Sequence, residues 1–388
     1  MLHIYLIMEN HISPYFHIAA TKYGGRGCFA NNNIALNTQI HQCPAPIGFT
    51  ISRPFKKEVC SWCYEYQHGS YAKVKIAQLF GKDTCSINFC SEVCKIKFQT
   101  IDDKKKVLVQ NLLSAEKNYL VGLNKTGNNG NDEDMEVTKL NKESEVDDYS
   151  REEWGKVQEW DAQMSRMKES KRLNHLVRLD DGEFSEAKYI ITVLFQMYKY
   201  SNSNNTTTAS TTTTKYFESD FDTQLEMELN LFQKLQSTEI EKYHKYPSLV
   251  SSYIKIYKFV KITCTPELQP FITPPTVRSI IGRNLSNAFG LWSETQDSNE
   301  DKEFLGFAVY PSASFFNHSC EPNIKKIRVK NELKFVTLRE IAPGEELCIN
   351  YGNFQNENVK ERKKQLSEWF FDCGCTKCEA DSQNVIKD

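Results

Sequence analysis

Residues 317–323 read Asn317-His318-Ser319-Cys320-Glu321-Pro322-Asn323. Gly344-Glu345-Glu346-Leu347-Cys348-Ile349-Asn350-Tyr351-Gly352 follows, and then Cys373-Gly374-Cys375-Thr376-Lys377-Cys378. The first stretch is a tight polar turn, marked by its Asn, Ser and Pro. The second is a short β-leaning run that ends on a tyrosine and a glycine. The third puts three thiols into one short segment. A closed structural zinc site takes four ligands in a tetrahedron, with sulfur at about 2.3 Å. Three of the four are therefore local, and Cys320 is the best candidate for the fourth. A metal joining Cys320 to Cys373, Cys375 and Cys378 would clamp Trp369-Phe370-Phe371 over the Asn317-His318 turn. Aromatic walls would then close a pocket at that end of the chain.

Working outward, the chain has 13 cysteines, and they are unevenly placed. Clustering of this kind argues for metal rather than disulfides where thiols stay reduced. Cys60-x2-Cys63 and Cys90-x3-Cys94 form a second tetrahedral set, in which Phe89-Cys90-Ser91 starts the helix that bears Cys94. Cys85 is spare, and His68 reads as a surface histidine. The spacing fits no common iron–sulfur run.

The 388 residues are 40% apolar and 25% charged, with a formal net charge of -2. That balance reads as globular and lacks the global basic footprint of a nucleic-acid binder, so no direct nucleic-acid binding is expected. No apolar run approaches the roughly 18–20 residues that span a bilayer, so no membrane partner is expected. The opening MLHIYLIMENH has neither a basic front end nor a small-residue cleavage site; a short edge strand is expected there rather than a signal peptide. The expected location is intracellular, in nucleus and/or cytoplasm.

Along the chain, residues 10–57 hold Gly, Pro and short β-leaning pieces. The pattern at 101–122 is helical. Residues 124–150 are acidic, polar and poor in aromatics, which predicts a loose loop. Charged helix follows over 151–200, ending in the apolar YIITVLFQMYKY. The Ser/Asn/Thr tract 201–214 cannot bury a core, and helical periodicity resumes over 217–262. Four prolines between 265 and 275 mark a boundary. Beyond it, KIRVKNELKFVTL and EELCINYG read as strands, with a hairpin turn at Lys330-Asn331. The class is α+β, with β material at both ends.

Two further stretches complete the constellation: Gly24-Gly25-Arg26-Gly27-Cys28-Phe29, and Arg283-Asn284-Leu285-Ser286-Asn287-Ala288-Phe289. Together with the motifs quoted first, they make the sequence resemble the SET-domain protein lysine methyltransferases. The nearest shape is the subgroup in which a MYND-type zinc finger interrupts the SET domain, above all its fungal members. The resemblance covers about residues 10–100 and 277–380.

It implies a SET-type, β-rich pseudoknot core interrupted by a zinc-binding module and a helical insertion, with a C-terminal post-SET zinc knot. The implied division is 10–57 for the N-terminal part of the SET domain and 58–98 for a degenerate MYND-like module. Residues 99–276 would be the helical insertion, with loose loops near 124–150 and 201–215. Residues 277–352 would be the C-terminal SET part, and 353–388 the zinc-binding tail. The implied cofactor is S-adenosylmethionine, held by Gly25, Arg26, Gly27, Asn287, Asn317, His318, Tyr351 and Phe371. There glycine permits close backbone approach.

Tyr351, Asn317 and His318 are the implied catalytic group. For His318 a structural role inside the fold stands open beside a cofactor contact, and Tyr310, Phe315 and Phe316 serve either channel or core. The implied activity is a class V-like methyl transfer to a lysine of a histone or another protein. The partner is a protein substrate presenting lysine, and the chain is expected to act as a monomer. A catalytically silent SET and zinc scaffold that binds a protein partner is the competing reading. The resemblance is incomplete in the first cysteine module. Of the two zinc sets of a MYND finger only Cys60, Cys63, Cys90 and Cys94 is intact, which predicts one zinc there and makes bracing as natural a role as partner docking. Two structural zincs are expected in all.

Overall fold

A computed structural model describes residues 12–22, 25–72, 74–75, 87–100, 104–124, 142–201, 215–284, 286–293, 302–352 and 356–385. The edge strand expected before residue 12, Gly24, Cys85 and the tract 202–214 lie outside the described residues. The strands are β1 (Phe16–Ala20), β2 (Arg26–Ala30), β3 (Gln39–Cys43), β4 (Gly48–Ile51), β5 (Val74–Lys75), β6 (Asn88–Phe89), β7 (Ala288–Trp292), β8 (Phe304–Val309), β9 (Asn317–His318), β10 (Ile324–Val329), β11 (Glu332–Thr337) and β12 (Glu346–Ile349). Helices fill most of the chain between β6 and β7, which makes the class α+β. The chain divides into two compact units. One comprises Met1–Ile47, Asn205–Leu235 and Val309–Asp388; the other comprises Gly48–Asn204 and Gln236–Ala308.

In the first unit, the strand order β1-β2-β12-β9 joins the two ends of the chain in one sheet. β1 and β2 are antiparallel, with Ile18 opposite Cys28, and β12 adds antiparallel to β2, with Leu347 opposite Cys28. β9 lies parallel to β12, pairing Cys348 with Asn317 and Ile349 with His318. Parallel neighbours require a crossover. Here the β10–β11 hairpin supplies it, and it belongs to a separate sheet of order β10-β11-β3. The hairpin turns at the expected place, with Lys330 at φ 60°. β11 alternates half-buried and buried residues, as a strand covered on one face should. Its buried face carries Phe335, which stacks on Phe316 with centroids 4.6 Å apart, and Phe16 meets Phe316 edge-on at 5.2 Å.

His41 is enclosed by these rings, and its Nε2 lies 2.8 Å from the Ser312 hydroxyl. That hydroxyl also donates to Glu228, on the helix Phe221–Phe232 that Asp220 caps. His41, Cys43 and Glu228 therefore surround Ser312 as a buried polar network. Sequence patterning did not anticipate it, because its members come from three distant segments.

The second unit is built on the helix Asp181–Tyr200. Tyr189, Ile190, Ile191, Val193 and Leu194 are all fully buried there, the pattern of a helix covered on most sides. Its start is fixed by a capping box between Asp180 and Glu183. β4 approaches this helix so closely at Gly48 that a Cβ there would meet Val193 and Tyr189. The helices Lys105–Asn124 and Leu249–Thr263 pack on it, and Tyr119 stacks on Phe184 with centroids 4.1 Å apart.

One helix departs from expectation. Glu143–Arg166 begins inside the stretch read as loose. Its acidic first turn, Glu143 and Glu145, favours a helix N-terminus, and Val146, Ser150, Trp154 and Val157 form a buried stripe. The high charge belongs to the opposite face. Among the described residues no helix is long and apolar enough to cross a membrane.

Candidate functional site

The site is assembled in the first unit. The glycine turn before β2 comes first, with Gly25 at φ 73°. Asn317, from β9, donates from Nδ2 to the Arg26 carbonyl at 3.0 Å, across 291 residues of sequence, and to Glu346 Oε1 at 2.8 Å. Asn317 is thereby locked against the backbone of the turn. Its Oδ1 meets no protein donor among the described residues. Gly27 faces the same pair: a Cβ there would collide with Glu346 Oε1 and lie 2.8 Å from Asn317 Nδ2. Arg26 extends over the Phe315 ring at 5.0 Å and donates to the Lys234 carbonyl.

Asn323 holds β12 in place. Its Nδ2 donates to the Glu346 carbonyl at 2.8 Å, and its Oδ1 accepts from the Cys348 amide at 2.8 Å. Ser319 N donates to the Ile349 carbonyl at 2.9 Å, which continues the parallel pairing past β9. Tyr351 follows directly after β12. Its hydroxyl donates to the Phe316 carbonyl at 3.3 Å, and its amide donates to His318 Nδ1 at 3.1 Å. Burial pushes the Tyr351 phenol above its ordinary range, and the acidic groups of Cys348, Glu346 and Cys28 act in the same direction. Tyr351 is therefore a neutral phenol near pH 7. Burial likewise pushes His318 down, to about 4, so its ring is neutral there too.

Aromatic rings close this side. Tyr351 meets Phe371 at 5.9 Å and Trp369 at 6.2 Å, and His318 lies 5.3 Å from Tyr351 and 6.1 Å from Phe371. The clamp of the 369–371 segment over the Asn317-His318 turn is present as expected. Phe370 sits between the two packed rings in the left-handed region, at φ 60°.

The knot behind this wall is the group Cys320, Cys373, Cys375 and Cys378, whose sulfurs all lie within 4.8 Å of one another. Cys320 is 4.0 Å from Cys373 and 3.6 Å from Cys378. Four sulfurs at about 2.3 Å from one metal stand about 3.8 Å apart in a tetrahedron. The spacing therefore fits zinc. Arg362 is the residue that sequence reasoning missed. It is 1% exposed, its Nη2 is 3.5 Å from Cys378 Sγ and 2.7 Å from Asp381 Oδ2, and it places a positive charge beside thiolates that carry excess negative charge. It lies on the one stripe of helix Val359–Leu366 that is buried, with Val359 and Leu366 at three-residue and four-residue steps. That spacing was the available signal.

The second unit holds the other group, Cys60, Cys63, Cys90 and Cys94, again within 4.8 Å. Cys63 and Cys90 are 3.6 Å apart, and Cys90 and Cys94 are 3.5 Å apart. Ser91 prepares the helix that carries Cys94 by accepting from its amide at 3.2 Å. The Cys63 thiol holds Cys60 well below the usual thiol range, as expected of sulfurs crowded where a cation belongs. Phe89, Phe98 and Val109 pack the group from the inside. Cys85 lies outside the described residues.

Of the residues expected at the site, Gly25, Arg26, Gly27, Asn317, His318, Tyr351 and Phe371 all belong to the first unit. Asn287 belongs to the second. Its Nδ2 donates to the carbonyls of Gln236 at 3.0 Å and Arg283 at 2.9 Å, so its side chain is engaged in joining two segments of its own unit.

A parallel pair fed by a hairpin crossover, a glycine turn pinned by an asparagine and a tyrosine behind a cysteine knot define the SET class. The SET domain family description matches residues 25–352, and the chain belongs to that family. It is similar to the potential protein lysine methyltransferase SET6 of Saccharomyces cerevisiae, with 30% identity over 96% of this chain and 97% of the relative. A SET and MYND domain-containing protein of Dictyostelium discoideum is 36% identical over 28% of this chain and 26% of its own length. The mouse histone-lysine N-methyltransferase SMYD3 is 33% identical over 22% of this chain and 20% of its own.

Proposed function

We propose that this protein transfers a methyl group from S-adenosylmethionine to a lysine side chain of a protein substrate. The observation that carries the reading is the meeting, in one sheet of one unit, of the turn at 25–27 with Asn317, His318 and Tyr351. The cofactor, when bound, supplies a methyl group on a positively charged sulfonium. Asn317 Oδ1, the main chain at 25–27, His318 and the rings of Phe371 and Tyr351 are the groups that would hold it. Asn287 could join them only through atoms other than its engaged Nδ2.

In the reaction the lysine nitrogen forms a bond to the methyl carbon. The carbon–sulfur bond breaks, its electron pair stays on sulfur, and the spare proton leaves from nitrogen to solvent. The amine must be neutral to attack, and burial favours that form. Tyr351 cannot be the base, because its phenol keeps its proton. Its hydroxyl, anchored on the Phe316 carbonyl, instead orients the amine and offers lone pairs to the partly positive methyl. Both cysteine groups are proposed to hold structural zinc, since four thiolates leave no open position for chemistry. The grouped thiols need a reducing compartment, which supports action in nucleus or cytoplasm.

The test is to incubate zinc-loaded protein with labelled S-adenosylmethionine and a proteome extract, beside Tyr351→Phe. The expected outcome is labelled protein with the native chain, lowered about 10²-fold in the variant, with cofactor affinity retained. Cofactor binding without any labelling by the native chain would favour the silent scaffold instead.

A further inference from the structure

The second unit contains a cleft that methyl transfer does not use. It encloses about 630 Å3 counted out to its mouth, within the range of small-molecule sites at about 300–1,000 Å3. Phe49 and Phe98 give it apolar walls, and Thr50, Lys56, Glu116 and Lys188 supply its polar lining. It lies where β4, the first cysteine module and the helices Lys105–Asn124 and Asp181–Tyr200 converge.

The charges in it do not balance. Lys56 and Glu116 form an ion pair. Lys188 has no such partner among the described residues: its Nζ donates to the Ile51 carbonyl and lies over the Phe184 ring at 5.1 Å. Burial pushes Lys188 down to about 8. One positive charge is therefore held inside an apolar cleft at a cost that an incoming anion would offset.

A second observation points the same way. The Thr50 hydroxyl is buried, with the residue 2% exposed, and it has no hydrogen-bond partner. A buried hydroxyl left unpaired costs about 1–3 kcal/mol. The neighbouring strand is otherwise fully engaged: the Phe49 amide donates to the Thr192 hydroxyl at 3.0 Å, and Ile51 accepts from Lys188. Thr50 stands out as a free donor in a wall whose other polar groups are paired.

We propose that this cleft binds a small amphipathic carboxylate, with Lys188 as its counter-ion, the Thr50 hydroxyl as a hydrogen-bond donor, and Phe49 and Phe98 against its apolar body. A single uncompensated charge selects a monoanion; a phosphate dianion would bring a second charge with nothing to meet it. A cation is disfavoured because Glu116 is already paired. The proposal is independent of the methyl-transfer reading.

Calorimetry on the zinc-loaded full chain tests it with octanoate, octanol and octylammonium, all below micelle-forming concentrations. Octanoate should bind saturably at one per chain, octanol at least ten-fold more weakly, and octylammonium not at all. Lys188→Met should weaken octanoate at least ten-fold and leave octanol unchanged. The unliganded variant should be at least as stable as the native chain, since an uncompensated buried charge is gone. Thr50→Val, which keeps the shape, should weaken octanoate several-fold. Equal binding of octanoate and octanol, absence of saturable octanoate binding, or full octanoate affinity in a folded Lys188→Met would overturn the proposal.

Discussion

The Tyr351 amide donates to His318 Nδ1 at 3.1 Å, and His318 Nε2 lies 3.3 Å from Cys320 Sγ. Because Nδ1 is the acceptor, a neutral ring carries its proton on Nε2 and points it at the sulfur. One imidazole thus ties the backbone of Tyr351 to a member of the cysteine knot. This geometry supplies the structural role that the sequence left open for His318. His318→Phe keeps a ring against Tyr351 and Phe371 but loses both bonds, leaving a buried amide unpaired at about 1–3 kcal/mol. Methyl transfer should fall about 10-fold or more, and the C-terminal zinc should come off at lower chelator concentration. A variant with native rate and native zinc retention would remove this link from the mechanism.

Gly25 and Gly27 separate two effects in one turn. At Gly25 an added Cβ meets nothing within 4 Å, but φ is 73°, so Gly25→Ala pays only backbone strain, about 1 kcal/mol. At Gly27 the backbone is unstrained, but the Cβ runs into Glu346 and Asn317. Gly27→Ala must therefore break the Asn317–Glu346 bond or displace β12 from β2. Titration with S-adenosylmethionine should show affinity lowered at least ten-fold for Gly27→Ala and about two-fold for Gly25→Ala. Equal losses would mean that backbone conformation, not the Asn317 anchor, governs the site.

Residues whose chemistry is unusual were legible before the fold was known. Cysteines at metal spacing, a polar turn ending in Glu-Pro-Asn and a terminal tyrosine announce themselves because few other contexts need them. Glu346 and Asn323 were visible as motif letters, but their work is to hold Asn317 and β12, and that appears only once β9 and β12 pair. Arg362 was hidden among the lysines of its helix, although its spacing from Val359 and Leu366 put it on the buried stripe. The helix at Glu143 was masked by its own exposed face, since acidic residues that solvate a helix look like those that solvate a loop. The His41, Ser312 and Glu228 network is invisible in principle to local patterning.

The two cysteine groups belong to different units, so their losses should be separable. Native protein should hold two zinc ions per chain by elemental analysis. Cys94→Ser should leave one, destabilise the packing of Phe89 and Phe98, and retain cofactor binding. Cys378→Ser should also leave one, but it should release the Trp369 and Phe371 rings and abolish cofactor binding. Structural zinc is worth up to about 10–16 kcal/mol in small isolated modules, so a chelator should unfold both regions. Retained cofactor binding in Cys378→Ser would show that the aromatic wall does not need the knot.

His41 gives the fold a proton-linked weakness that can be measured apart from chemistry. Burial pushes its ring down to about 3, against about 6.5 for an unfolded histidine. Below pH 6.5 the unfolded chain takes up a proton that the folded chain refuses, so stability is complete above that value and falls as pH drops toward 3. The slope is about 1.4 kcal/mol per pH unit for one proton. Glu228 and Glu186 are pushed upward by burial and act in the opposite sense, but they do so equally in a variant that spares them. His41→Phe is that variant, because the rings of Phe16, Phe316 and Phe335 already surround the position. Urea denaturation with saturating zinc between pH 7 and 5.5 should show the native chain losing about 1 kcal/mol more than His41→Phe over that interval. Parallel pH profiles for the two chains would mean that His41 takes its proton in the folded state.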